Sequence, residues 1–412
     1  MANPFLLPNP FFKVRLTPNI QQPVLNSQSI SERDCSDDQC GREFERLFSG
    51  LIGTSSGIAL NSGRAALYLA LKMLGIGKGD EVILPSLVCG AVADAIISVG
   101  AMPVLADVKP EEGTIDPLKI GKQMSEKTKA IIAVHYLGIP CDLDELREIS
   151  TTKGVYLIED CAHSLNSTYK NKIVGTVGDL AFFSFGPDKP LTTGLGGFLT
   201  SAHMDFARHI EGLRDSLEDS YHHPEGNARR IIAENNLLCQ KRTYGISTIM
   251  YFPLARLTSL FATSNHCVGT ALISRYASLV GIEQMKLIGN ILKMRIVNAS
   301  RLKELFEKTD FLKIAEYPNS KNPIFLRFLV LTANQRNRNW LMKSFKGHGI
   351  EAGPINWRIP LHRSEYYSRI ARSTSNYEGT DHLCDRFLNI PCHPYLDDHD
   401  FSMIERAVDL EH

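Results

Sequence analysis

Between about residues 44 and 200, short apolar runs alternate with amphipathic stretches. Residues 64–74 place Leu67, Ala70, Leu71 and Leu74 on one face of a helix, and Gly75-Ile76-Gly77 ends it. Apolar runs at 81–84, 102–108, 129–136, 155–158, 180–185 and 197–200 predict strands, and another ends at Leu60. Strand and helix in repetition predict an α/β fold with a mostly parallel central sheet covered on both faces. A ligand then sits beyond the carboxyl ends of the strands. That rule singles out the residues after Leu60, Leu84, Tyr136, Ile158 and Phe185.

The pattern divides the chain into three parts. Residues 1–40, rich in Pro, Asn, Gln and Ser, read as an amino-terminal arm. Residues 41–285 read as a large ligand-binding domain with an insertion at about 215–280, where the rhythm breaks. Residues 286–412 read as a smaller carboxy-terminal α+β domain, with a strand at 324–331, a helix at 337–348 and a last helix after Pro394. The 281–308 stretch has the pattern of one long helix. The insertion carries Tyr221-His222-His223-Pro224, whose adjacent histidines lack the spacing of a metal ligand set. It also carries an apolar stretch from Leu237 to Leu254, read as a helical insertion packed on its own domain or on a second subunit.

Composition narrows the function. In 412 residues, 45 basic and 45 acidic side chains cancel, and 43% of residues are hydrophobic. That content excludes wholesale disorder. The absent basic excess weighs against nucleic acid as a partner. No apolar run is long enough to span a membrane, so membrane contact is not expected. Pro and Asn break the opening apolar residues, which do not read as a secretory signal, and Leu410-Glu411-His412 is given no fold meaning. The nine cysteines include no Cys-x-x-Cys pair, and Cys35 with Cys40 lacks a second pair for zinc. Reduced thiols and a cytoplasmic location are the expectation.

The chemistry concentrates at three places. Lys189 stands in a tight turn after a buried strand, followed by Gly194, Gly196 and Gly197, which let backbone approach a ligand closely. Read alone it is a surface lysine; beyond a strand end it is a candidate for Schiff-base chemistry with a carbonyl cofactor. Asp160 ends an apolar strand 29 residues earlier. Paired with Lys189, it offers the carboxylate that keeps a pyridine nitrogen protonated. Residues 61–67 (NSGRAAL) join a strand to a helix start, where free N–H groups bind phosphate. Ser184 has a hydroxyl for the same phosphate.

Taken together and in order, these segments resemble the DegT/DnrJ/EryC/StrS sugar aminotransferases, pyridoxal-phosphate enzymes of fold type I. The resemblance rests on LNSGRAAL (60–67), GDEVILPS (79–86), IIAVHYLG (131–138), IEDCAHS (158–164) and the 184–197 segment, then on HGI, IPLH and LNIPCHP further on. It covers about residues 41–405. It implies a fold type I architecture and pyridoxal 5'-phosphate as cofactor. Lys189 becomes the Schiff-base lysine and proton-shuttling base, and Asp160 the partner of the pyridine nitrogen. His163 falls near the phenolic oxygen, while Ser184 and the Gly63-Arg64 backbone hold the phosphate. The resemblance further implies a homodimer, a small-molecule amino donor (glutamate by family habit), and a keto-sugar, cyclitol or natural-product ketone as acceptor.

The chain also departs from the family. Cys89 takes the place of an aromatic ring over the cofactor, so it is expected to line the site. Pro190 and Leu195 replace an asparagine and a glutamate close to the lysine. The family's Gly-x-Asn-x-Arg-Met element falls by count on residues 268–273, VGTALI, without its Asn or Arg. These changes leave two alternatives to transamination: another pyridoxal-phosphate reaction such as elimination or dehydration, or a non-catalytic relative acting as a sensor or assembly partner.

Overall fold

The structure is a computed structural model, and it describes residues 36–217, 228–232, 268–353, 359–373 and 376–408. Helix α1 (Asp37–Ile52) opens the described chain. Ser36 caps it by accepting the Gln39 N–H, while the Gln39 side chain accepts the Ser36 N–H. Asp37 and Asp38 suit the positive end of the helix, and Gly53 closes it in the left-handed region at φ 84°. Cys40, Phe44, Phe48 and Ile52 recur every four residues or so, and all are buried. Phe48 packs its ring 4.9 Å from Phe185 and 4.7 Å from Phe198. Burying such a ring stabilises the fold by about 1.5–3 kcal/mol.

Seven strands form the large sheet: β1 (Ser56–Leu60), β2 (Glu81–Pro85), β3 (Met102–Ala106), β4 (Thr128–Val134), β5 (Tyr156–Asp160), β6 (Leu180–Ser184) and β7 (Gly197–Ser201). Their order is β1-β7-β6-β5-β4-β2-β3. The β2/β3, β2/β4, β4/β5 and β5/β6 pairs are parallel, and β7 alone runs against its neighbours β1 and β6. Nearly every residue of β2 through β7 is buried, as a sheet covered on both faces requires. Helices α2 (Gly63–Met73), α3 (Gly90–Ser98), α4 (Leu143–Lys153) and α5 (Met204–Ser216) cover it together with α1.

Past the large sheet come α6 (Arg275–Met285) and α7 (Ile288–Phe306). The single helix expected over 281–308 is therefore broken. Lys286 and Leu287 N–H groups bond three residues back, to Glu283 and Gln284 carbonyls. The Gln284 side chain is drawn away to Thr192, accepting its N–H at 3.1 Å and donating to its carbonyl. A three-stranded antiparallel sheet follows: β8 (Leu312–Ile314), β9 (Phe328–Thr332) and β10 (Phe387–Ile390), in the order β8-β9-β10. Helices α8 (Gln335–Gly347), α9 (Tyr367–Ile370), α10 (Glu378–Arg386) and α11 (Asp398–Val408) complete the described chain. The strand expected over 324–331 begins only at Phe328, because Phe325 adopts φ 52° and leaves the extended region.

Two further expectations need correction or limits. Cys40 is disulfide-bonded, so the expectation of reduced thiols does not hold there. Cys89, Cys141, Cys161, Cys384 and Cys392 are free. Within the supposed insertion, residues 228–232 form a short helix whose Ile232 packs against Gly194. The paired histidines and the apolar 237–254 stretch lie outside the described residues.

Candidate active site

The carboxyl ends of β1, β2, β5 and β6 converge on one cleft. All seven residues singled out from sequence line it: Gly63, Arg64, Cys89, Asp160, His163, Ser184 and Lys189. Leu67, Val92, Val134 and Phe182 supply its apolar walls. They come from positions more than 120 residues apart, brought together because β1 and β5 enclose β6 and β7 in the sheet.

One corner is built for an anion. Ser62 caps α2, accepting the Ala65 N–H at 3.1 Å. Gly63 and Arg64 then stand in the first turn, where their N–H groups have no partner inside the helix. A Cβ on Gly63 would lie 3.0 Å from the Ser184 Cβ, so the bare glycine lets the helix start touch the end of β6. Gly197 is tighter still, because a Cβ there would meet the Ser62 carbonyl carbon at 2.3 Å. The Arg64 side chain, two-fifths exposed, stands 3.9 Å from Asp94. Residues 268–273 run beside this corner. Asn61 donates its N–H to the Ala271 carbonyl and its side-chain amide to the Gly269 carbonyl, each at 2.9 Å.

Asp160 and His163 form the floor. Asp160 is 5% exposed, and its carboxylate accepts one hydrogen bond, from the Ala162 N–H at 3.0 Å. Burial pushes its pKa up to about 6, against the opposing effects of that hydrogen bond, Lys189 and His135. Cys161, next in sequence, turns to the opposite side of the sheet and packs in the core with Phe183. His163 accepts the Leu137 N–H at Nδ1 (3.3 Å), which leaves the proton on Nε2. Burial and the Lys189 charge hold His163 well below the usual histidine range, so it is neutral.

The third group surrounds Lys189. A tight turn closed by the Lys189 N–H on the Gly186 carbonyl (3.1 Å) presents the side chain to the cleft. Its Nζ lies 3.2 Å from Asp188 Oδ1. Burial opposes ionisation of Asp188, but Lys189 and Arg327 outweigh it and hold the carboxyl well below its ordinary range. Arg327 Nη2 stands 3.9 Å from Asp188 Oδ2. Sequence reasoning missed Asp188 and Arg327. Asp188 was legible as the immediate neighbour of Lys189, whereas nothing in the sequence placed Arg327 here. Burial raises the Cys89 thiol, which stays protonated at the amino end of α3. On the far side of Gly90, Tyr367 packs so closely that a Cβ would meet its hydroxyl at 2.4 Å.

Two other clusters are structural. His135 Nε2 bonds Glu159 Oε2 at 3.0 Å, and Glu159 also accepts the N–H groups of Gly175, Val177 and Gly178. His135 Nδ1 accepts the Cys141 N–H, so neither ring nitrogen is open to a metal. Ser86 Oγ lies 2.6 Å from His362 Nδ1, and His362 Nε2 lies 3.0 Å from Asp381 Oδ1. Ser86 is fully buried, so this chain of groups ties the IPLH segment to the end of β2 and is no nucleophilic triad. Among the described residues, no helix is long and apolar enough to cross a membrane.

Comparison with known proteins gives a consistent match. Residues 36–409 match the DegT/DnrJ/EryC1/StrS aminotransferase family. The chain is 28% identical over 373 residues to the spore coat polysaccharide biosynthesis protein SpsC of Bacillus subtilis (strain 168), covering 89% of this chain and 88% of that one. It is 42% identical over 172 residues to GDP-perosamine synthase of Caulobacter vibrioides (strain ATCC 19089 / CIP 103742 / CB 15), covering 42% and 46%. Among solved structures, the aminotransferase TlmJ from Streptoalloteichus hindustanus superposes with a TM-score of 0.75 at 22% identity, covering 95% of this chain and 96% of that one.

Proposed function

This chain belongs to the DegT/DnrJ/EryC1/StrS aminotransferase family and is a pyridoxal-phosphate-dependent aminotransferase; from that premise we propose that it moves an amino group from glutamate to a keto-sugar. The observation that carries the reading is one cleft holding Lys189, Asp160 and the Gly63-Arg64 corner. GDP-perosamine synthase, named for an amino sugar, supports the acceptor class. A cyclitol or natural-product ketone presents the same carbonyl chemistry.

The residues fit the cofactor. Asp160 is a buried carboxylate with a single hydrogen bond, and a pyridinium N–H beside it restores the partner that burial removed. The first turn of α2, with Ser184 and Arg64, suits a phosphate, and the missing side chain of Gly63 lets that turn close on Ser184. When bound, pyridoxal phosphate supplies the electron sink that lets a proton leave the donor's α-carbon.

Each residue then has a task. Lys189 Nζ would hold the cofactor and, when free, would take the proton that leaves the donor's α-carbon and give it back in the second half of the transfer. Asp188, 3.2 Å away, steadies the ammonium form of Lys189 between those two transfers. Neutral His163 carries its proton on Nε2 and would offer that N–H to the cofactor's phenolic oxygen. Cys89 lines the cleft and would meet the cofactor with a small thiol where the family resemblance implies an aromatic ring. Leu67, Val92 and Phe182 exclude water.

The homodimer and the cytoplasmic location belong to the same proposal. Met294, Ile296 and Val297 of α7 are large apolar side chains left exposed, which supports a second subunit, and light scattering of the purified protein reads its mass directly. Borohydride treatment followed by mass spectrometry tests the central claim. Reduced cofactor fixed on Lys189, together with conversion of the cofactor to its aminated form by L-glutamate, is the expected result. A Lys189→Ala protein that still transfers amines at the wild-type rate sinks the reading.

A further inference from the structure

Helix α2 begins with a charge of the wrong sign for a helix start. The amino terminus is the positive end of the backbone dipole and favours acidic side chains in the first turn. Helix α1 follows that rule with Asp37 and Asp38, and α4 with Asp144 and Glu145. The first turn of α2 holds no acidic residue, and it holds Arg64. Ser62 satisfies one N–H of that turn, so positive potential collects there and a guanidinium adds to it. Local consistency is given up in this way where a site demands it.

Asp94 answers the charge from α3. Its Oδ2 lies 3.9 Å from Arg64 Nη1, and its Oδ1 accepts the Tyr367 hydroxyl at 2.9 Å. Tyr367 belongs to α9, 273 residues further along the chain. Burial and the Asp94 charge hold its phenol above the ordinary range, so it remains a donor. Bare Gly90 lets the Tyr367 ring seat against the start of α3. Of the three polar side chains, Arg64 is the one that lines the cleft. At 3.9 Å the Asp94 pair is loose, so it restrains the guanidinium and leaves its planar fork of donors for a stronger acceptor. A side chain already ordered loses less freedom when a ligand arrives. Residues 268–273, which run beside the corner, contain no charged side chain to act in its stead.

We propose that the Arg64 side chain contacts the cofactor's phosphate, and that Tyr367, acting through Asp94, is the positioning residue that keeps the guanidinium on the cleft side of α2. The proposal rests on the pyridoxal-phosphate reading and deepens it, because it adds a side-chain charge of this subunit to the backbone N–H groups and Ser184. It also accounts for a cation at the positive end of α2.

The test titrates the full chain, stripped of cofactor, with pyridoxal phosphate and separately with pyridoxal, which lacks the phosphate. Binding is read from visible absorbance, and the ratio of the two dissociation constants reports the phosphate's share. Arg64→Gln should weaken pyridoxal phosphate by about 10- to 100-fold and pyridoxal little, as loss of a hydrogen bond between charged groups requires. Arg64→Lys should fall between that variant and wild type. Tyr367→Phe keeps the ring on Gly90 and should lower the preference for the phosphate by about 3- to 10-fold. In an Arg64→Gln background it should change nothing further. A merely structural role weakens both ligands alike and leaves the ratio where wild type has it. An unchanged ratio in Arg64→Gln overturns the phosphate contact. A Tyr367→Phe effect on the ratio that persists without Arg64 overturns the positioning role. If Arg64→Gln does not fold, Arg64→Lys decides by the same ratio. Wild-type protein that prefers pyridoxal phosphate, yet that no amino acid converts to the aminated form, sinks the transamination reading and leaves this inference standing. Wild-type protein that binds neither compound sinks both.

Discussion

At Asp160, burial and charge oppose each other, and in the proposed reading the cofactor's pyridinium would resolve the conflict. Its pKa rises from 3.8 to about 6 because the carboxylate is desolvated, so between those values the folded protein binds a proton that the unfolded chain has released. Stability of the cofactor-free protein therefore falls as pH rises through that window, and the carboxylate above it is a held charge awaiting a cation. Asp160→Asn removes the conflict. Urea titrations of the two cofactor-free proteins should show the variant gaining on wild type from pH 4 to pH 6. The same variant should lose about 10- to 100-fold in amine transfer, the worth of a hydrogen bond to a charged group. Equal wild-type and variant activity would remove Asp160 from the site.

The elements meet at the site only because certain side chains are missing. The β7 backbone at Gly197 touches the turn between β1 and α2, where even a methyl group would lie 2.3 Å from backbone carbon. Backbone cannot move aside as a side-chain tip can. Gly197→Ala should therefore destabilise by more than about 2 kcal/mol, at the upper part of the range for overpacking, measured by chemical denaturation. Gly63→Ala meets the Ser184 Cβ at 3.0 Å, a contact that a few tenths of an ångström relieve. Its fold should survive better, and the loss should appear in cofactor affinity. Equilibrium dialysis with pyridoxal phosphate separates the two effects.

Across the whole molecule, Asp107 links the large sheet to the later helices. Fully buried past the end of β3, it accepts the N–H groups of Gly379 (2.9 Å) and Thr380 (2.8 Å), the Thr380 hydroxyl (2.8 Å) and Lys119 Nζ (2.6 Å). Burial opposes its ionisation, but Lys119 and these donors outweigh it and lower its pKa. The resulting stability is complete above the unfolded pKa and is lost as pH falls through the lower folded value. Asp107→Ala leaves the amino end of α10 without its acceptor. It should cost about 1.5–3 kcal/mol near neutral pH and much less at pH 2 in the same denaturation assay.

Much of this protein is written locally. The strands and the helix starts follow from period-two and period-3.6 patterns, from caps such as Ser36 and Ser62, and from turn glycines, all of which act within a few residues. The shared placement of Lys189 and Asp160 in one cleft was legible because strand ends in a parallel sheet are where ligands bind, and sequence marks strand ends. The break between α6 and α7 was not legible: the apolar pattern runs on through Lys286 and Leu287, whose N–H groups turn three residues back, beside a Gln284 tied to Thr192 across 92 residues. Nor was the shortened β9, which starts past a turn where Arg295 holds the Phe325 carbonyl and the Leu137 carbonyl holds the Leu326 N–H. The same long-range contacts decide where Arg327 sits, more than 130 residues from Lys189 in sequence and one carboxylate away in space. Local physics determined the sheet and the turn that carries Lys189; only the packing of distant backbone segments decided which charge stands beside that lysine.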